Sequence, residues 1–244
     1  MTNEELMSGA CPIIRDIGWA YYFAPATLAR GAELGLDPVQ FYVMGRGGVL
    51  GDVESSVVAA AFGYFNPTII AGGWSAGTAL VAPRVAGREY SRCCAAHGRA
   101  KLSGVPGLEA FVAAADAINA AADPTGLALY AAASAEPLAD DAPGRAAQLL
   151  ALLREFRGSA HLIALRAVGI DSKTAHFVKR PGDVAMFGWS DADAPEITEV
   201  THTQMAEAEA LTDTIVAPAY AVLDASSREA FLTALHAVQQ ALVS

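Results

Sequence analysis

The chain has little with which to cross-link, chelate or span a membrane. Its three cysteines, Cys11, Cys93 and Cys94, form no disulfide framework, and no paired ligands accompany them to make a zinc site. No apolar run approaches the ~20 residues of a membrane span. The first residues, Met1-Thr2-Asn3-Glu4-Glu5, are acidic where a secretion signal would be basic, so the expectation is a cytoplasmic protein with no membrane partner. Basic charge is short as well: 16 Lys and Arg face 26 Asp and Glu, a net charge of -10. An acidic chain repels a phosphate backbone, which disfavours nucleic acid as a general partner. Catalytic signatures are missing too. There is no Gly-x-Ser-x-Gly, no dinucleotide fingerprint, and no Lys-Ser/Thr after the glycines at 45–48 to make a P-loop. No cofactor and no metal are expected.

What is present is apolar and rich in alanine. Of the 244 residues, 53% are hydrophobic and only 17% charged, enough for one large or two small cores and too little charge for extended disorder. Alternation of Val, Ile and Thr is nearly absent, so strands have little support. The punctuation predicts helices over 11–22, 26–34, 39–44, 55–65, 68–74, 83–102, 108–122, 126–135, 145–156, 160–168, 171–179, 207–222 and 226–243. Loops are read at Gly45–Gly48 and at Gly72-Gly73-Trp74-Ser75-Ala76-Gly77. The Pro/Asp-rich stretch 136–144 is the best boundary. The expected fold is all-α with two packed helical subdomains, 1–136 and 144–244. A helix-turn-helix-like unit at 160–180 lies in the second.

Charge is distributed unevenly along this pattern. Residues 1–143 carry net -6, residues 144–180 net +5, and residues 181–244 net -9. A basic island between acidic segments is an anion or nucleic-acid site, or the face on which the acidic segments dock. Within the island, Asp171 or Ser172 caps the second helix of the unit, which offers Lys173, His176 and Lys179 on its surface, followed by Arg180. The chain then turns acidic and proline-broken (Pro181 to Glu196), where a DNA-binding wing would be basic.

Several motifs occur together: Tyr22-Phe23-Ala24-Pro25; Gly45-Arg46-Gly47-Gly48-Val49-Leu50-Gly51; Phe62-Gly63-Tyr64-Phe65-Asn66-Pro67 followed by Trp74; and Arg154-Glu155-Phe156-Arg157-Gly158-Ser159-Ala160-His161, running on through Gly169-Ile170-Asp171. Gly188-Trp189-Ser190 and Leu211-Thr212-Asp213 complete the series. In this order they resemble the actinobacterial proteins described as a helix-turn-helix family of unassigned function. The departures are Ala26 where the family has glutamate, Phe156 where it has histidine, and a span between Trp189 and Asp213 shorter by roughly a helix and a wing. The resemblance implies a divergent member. Its DNA-contacting parts are eroded, and a small-molecule cavity is retained and turned to catalysis.

Two segments supply the candidate chemistry. Arg46 in its glycine-rich stretch makes an anion site, or is a turn residue paired with Asp52. Arg154 and Arg157 share a helical face, with His161 two turns from Arg154. If Gly158 bends the helix end, Arg157 and His161 turn inward toward an anion; otherwise they make an interhelical salt bridge and a cap. Glu155 orients an arginine, or acts as a base if burial raises its pKa. The expected catalytic residues are Glu155, His161, Asp52 and Glu54. The expected substrate contacts are Arg46, Arg154, Arg157, Tyr21, Tyr22, Tyr64, Trp74 and Trp189, although most of these aromatics are equally core residues and only one of Tyr21 and Tyr22 should point inward. Cys93 and Cys94 read as a buried structural pair. The expected function is a cofactor-independent biosynthetic enzyme on an anionic or zwitterionic substrate, working by elimination, isomerisation or cyclisation that expels an anion. The alternatives are a ligand-responsive helix-turn-helix regulator or a non-catalytic binding protein, with a homodimer as the default assembly.

Overall fold

Prolines and short polar caps set where the helices begin. Pro25, Pro38, Pro67 and Pro83 each occupy the first helical position, where a missing N–H costs nothing. Asp37, Asn66, Asp141, Asp171 and Thr198 accept the first free backbone N–H groups of the helices they precede. The computed structural model describes residues 1–243, and among these it is helical with no strand. The helices are α1 (Asn3–Ile17), α2 (Pro25–Glu33), α3 (Pro38–Gly47), α4 (Ser55–Phe62), α5 (Pro67–Thr78), α6 (Pro83–Leu102), α7 (Leu108–Ala121), α8 (Ala128–Ser134), α9 (Ala142–Ala167), α10 (Ser172–Lys179), α11 (Glu199–Tyr220) and α12 (Ala225–Val243). Short 3-10 turns at Gly48–Leu50, Pro181–Phe187 and Asp191–Asp193 connect some of them. No helix among the described residues is long and apolar enough to cross a membrane.

Several boundaries differ from the sequence reading, each for a physical reason. Helix α1 starts at Asn3 rather than Cys11, because Thr2 and Glu5 form a capping box and Leu6, Met7 and Ala10 extend the buried stripe; Pro12 rides on the exposed face. Helix α11 starts at Glu199 rather than Glu207, capped by Thr198. The stretches read as glycine loops are helical. A Cβ on Gly45 would overlap the Tyr90 ring, and one on Gly48 the Pro83 backbone, so these glycines let α3 and the turn after it lie directly on α6. Gly77 likewise faces Met44 and brings α5 onto α3. Residues 145–156 and 160–168 do not form two helices. Helix α9 runs unbroken through Gly158, because Phe156 and Ala160 on either side are buried.

Helix α9 is the axis of the molecule. It is buried on most of its surface and packs against α6, α7, α8 and α1 before it in sequence and α11 after it. The largest core cluster therefore draws on both sides of the stretch 136–144: Leu6, Ile14, Phe111 and Ile118 meet Leu149, Leu153, Phe156, Tyr220 and Phe231. A second cluster, with Phe41, Met44, Phe62, Ile70, Trp74 and Tyr90, joins α3 to α6. A third and smaller one joins the end of α9 to α10 and α11 through Leu165, Ile170, Ala175 and Met205.

The end of α9, the turn 168–171 and α10 follow one another as helix, turn and helix. Gly169 takes φ +82°, a left-handed conformation that an L side chain would resist. Gln204 of α11 donates to the Val168 carbonyl, Asp171 caps α10, and Ser172 donates to the Gly63 carbonyl, so the unit is tied to the body at each end.

Candidate functional site

The three clusters meet around a cavity of about 310 Å³, at the lower end of ordinary ligand pockets. Helix α9 forms one wall and presents Arg154, Glu155, Arg157 and His161. Helices α3 and α4 and the turn after α4 contribute Tyr42, Arg46, Phe62, Tyr64 and Phe65. Helix α10 and the 3-10 turn contribute His176, Lys179, Arg180 and Phe187. Six of the chain's 16 Lys and Arg line this one space, and among the described residues Glu155 and Glu209 are its only lining carboxylates.

Glu155 organises the floor. Arg46 grips both its oxygens, Nε to Oε1 and Nη2 to Oε2, each at 2.8 Å, in the fork geometry that suits a guanidinium. The Tyr22 hydroxyl donates to Oε1 at 2.9 Å, and Arg154 Nη1 lies 3.4 Å from the same oxygen. Burial by itself would push this carboxyl's pKa up, as expected from sequence. The charge and hydrogen bonds of Arg46, with Arg154 and Tyr22, more than reverse that and hold it at about 2. Glu155 is therefore a fixed anion at neutral pH, too weakly basic to take a proton. Arg46 pairs with it and not with Asp52. Its guanidinium also donates to Tyr42 at 3.1 Å and rests over the Phe62 ring.

Two guanidinium groups thus share one carboxylate. Arg154 has only the outer oxygen of Glu155 and the Tyr22 hydroxyl (3.3 Å) for Nη1, while its Nε is buried with no hydrogen-bond partner. Arg157 has two carboxylates beside it, Glu209 hydrogen-bonded to Nη2 at 2.9 Å and Asp213 2.9 Å from Nη1, although Nη1 is itself buried without a hydrogen bond. The floor consequently carries surplus positive charge at Arg154.

His161 has its tautomer set by its neighbour. The Thr212 hydroxyl has one proton, and it donates that proton to the Ala208 carbonyl of its own helix at 2.6 Å. Thr212 Oγ1 must then accept from His161 Nδ1, 2.8 Å away, which leaves Nε2 of this cavity-lining ring as a bare acceptor. Burial lowers the His161 pKa, and Arg157 and Lys179 lower it further against the opposing pull of Glu209 and Asp213. His176 is only 3% exposed, and its Nε2 is buried without a partner; burial and Arg180 lower its pKa against the opposing pull of the Asp183 carboxylate and backbone.

The remaining expected site residues lie elsewhere. Asp52 and Glu54 are exposed on the segment before α4 and do not line the cavity. Trp74 sits in the second core cluster with its indole N–H on the Val53 carbonyl. Trp189 donates to the Tyr64 carbonyl and lies under Lys173, outside the lining. Helix α1 ends at Ile17, so Tyr21 and Tyr22 are not on a helix, and both point inward. They line a smaller cavity of about 70 Å³, separated from the main one by the Arg46–Glu155 pair. Cys94 is buried and its thiol pKa is pushed up, as is that of Cys11 (to about 11), so neither is a ready nucleophile.

Sequence reasoning missed Tyr42, Phe62 and Phe187 as wall residues. Tyr42 had a signal, since it precedes Arg46 by one helical turn. Phe187 had none. The basic residues assigned to the surface of the second helix are already engaged: Lys179 with Glu209 at 2.7 Å, Arg180 with Asp183, and Lys173 with the Asp193 carbonyl.

A family model described as a helix-turn-helix family matches residues 12–187. The match takes in Arg46, Arg154, His161 and His176 and stops before Glu209, Thr212 and Asp213. No curated protein and no solved structure matches the chain.

Proposed function

The chain belongs to the helix-turn-helix family, and from that premise we propose that it is a divergent member whose cavity binds a small anionic or zwitterionic compound and acts on it without a cofactor. The observation that carries this reading is Arg154, a guanidinium facing the cavity with half a carboxylate and an unpartnered Nε. A carboxylate or phosphate of a ligand supplies a counter-charge to that guanidinium. His161 supplies the reactivity, through its neutral ring and fixed Nε2 lone pair. In an elimination or cyclisation, His161 Nε2 takes the substrate proton. The electron pair of the broken bond forms the new C=C or ring bond, and the leaving group departs with its own pair toward the arginines. The proton then returns to solvent. Glu155 holds the arginines and takes no part in proton transfer.

The test is binding and turnover with a panel of small carboxylates and phosphates. Arg154→Met removes the free charge while leaving the Arg46–Glu155 fork intact. It should weaken anion binding by about 10- to 100-fold, the value of a charged hydrogen bond at ~1.5–3 kcal/mol. His161→Gln should keep binding and lose turnover. Equal binding by Arg154→Met would end this reading.

Family membership favours a second reading, a ligand-responsive regulator that binds DNA through α10. Such a protein needs free cations on that helix. Here each has a partner, and an acidic segment follows. A mobility shift of duplex DNA at low salt that is lost in Lys173→Ala/Lys179→Ala would restore the regulator; no shift, with or without ligand, leaves the small-molecule reading in place.

A further inference from the structure

The cavity has a second pole besides its arginines. Five of its 24 lining residues are Phe or Tyr, about one in five, against 8% Phe, Trp and Tyr in the whole chain. They form a contiguous wall. Phe65 stacks on Phe187 with centroids 4.2 Å apart, Tyr42 lies 5.6 Å from Phe65, and the His176 ring lies 4.1 Å from Phe187. Within that wall sits His176 Nε2, buried and without a hydrogen-bond partner. An orphan polar atom costs free energy unless something in the cavity meets it. Tyr64, also on the lining, faces His176 at 6.2 Å and keeps its hydroxyl proton, because burial pushes its pKa up.

From the aromatic wall, the orphan imidazole nitrogen and the under-partnered arginine opposite, we infer that the ligand is an aryl-bearing carboxylate or similar anion. It is a single aromatic ring carrying a hydrogen-bonding substituent, joined by a short arm to a carboxylate or similar anion. The anion lies at Arg154, the ring edge or face meets Phe65 and Phe187, and the ring substituent points toward the His176 imidazole. Aromatic rings prefer such edge and offset contacts over an aliphatic neighbour of equal size. The volume agrees. About 310 Å³ leaves ample room for one ring and a short arm. This inference rests on the anion-binding reading above and narrows it.

Calorimetric titration of the full chain with four probes separates the two claims. Acetate reports the anion site alone. Cyclohexylacetate adds an apolar body without a ring current, phenylacetate adds the ring, and 4-hydroxyphenylacetate adds the hydroxyl. We expect phenylacetate to bind about tenfold more tightly than cyclohexylacetate, and the hydroxyl to tighten binding further. Phe187→Ala, on a half-buried turn, should bring phenylacetate down to the affinity of cyclohexylacetate, and His176→Phe should remove the hydroxyl's advantage. If cyclohexylacetate matches phenylacetate, the aryl inference is overturned while the anion reading stands. If no probe binds wild-type protein, both are overturned.

Discussion

Replacing Glu155 by glutamine tests the electrostatic heart of the molecule, because it keeps the shape and removes the charge. Arg46 and Arg154 would then lie buried beside a neutral amide, with no other carboxylate within reach of the Arg46 fork. Stranding a buried charge costs about 3–5 kcal/mol. The wild-type pKa gives an independent figure. The folded carboxyl sits at about 2 against 4.5 for an ordinary glutamate, a difference that corresponds to about 3 kcal/mol of stability. Since the folded value is the depressed one, the unfolded chain binds the proton first. The stabilisation is complete above about pH 4.5, falls as the pH drops, and is exhausted near pH 2. By pH 3, about 2 kcal/mol of it should be gone. Urea unfolding followed by circular dichroism at pH 7, 5, 4 and 3 measures both effects. At pH 7 the variant should be less stable by at least 2 kcal/mol, and the gap between variant and wild type should narrow steadily toward pH 3. A gap below 1 kcal/mol at pH 7, or one constant from pH 7 to pH 3, would refute the idea that Glu155 is a charged keystone.

Nitrogen-15 spectra of the histidines at pH 7 should show His161 neutral and protonated on Nδ1. Thr212→Val should release that preference with little loss of fold, while an Nε2-protonated ring in the wild type would remove it as proton acceptor. Because its folded pKa is lowered by burial, protonating His161 favours the unfolded chain. Its contribution is full above pH 6.5, the ordinary histidine value, and declines below it, and any activity it drives should fall on the acid side. Gly45→Ala places a methyl against the Tyr90 ring. It should destabilise the chain by about 1–3 kcal/mol through forced repacking of α3 on α6, and a shorter side chain at Tyr90 should restore part of that loss in the same unfolding assay.

Sequence alone determined the fold class, the helix starts marked by proline and caps, and the cluster Arg154–Glu155–Arg157–His161, because these depend on local propensity and on spacing along one helix. It also marked the turn at Gly169 and the cap at Asp171 that precede α10. It could not show that the glycines at 45–48 are contact points between helices. A glycine needed for close packing and a glycine needed for a turn look alike until the facing helix is known. Nor could it tell which of two opposite shifts Glu155 would undergo. Burial raises a carboxyl pKa and a guanidinium lowers it, and the balance was decided by Arg46, 109 residues earlier in the chain, arriving with both nitrogens in register. The same holds for His161, whose tautomer depends on a threonine 51 residues away that gives its own proton to the backbone. Sequence spacing assembled one wall of the cavity; only tertiary packing brought the aromatic wall and the unpartnered His176 across from it.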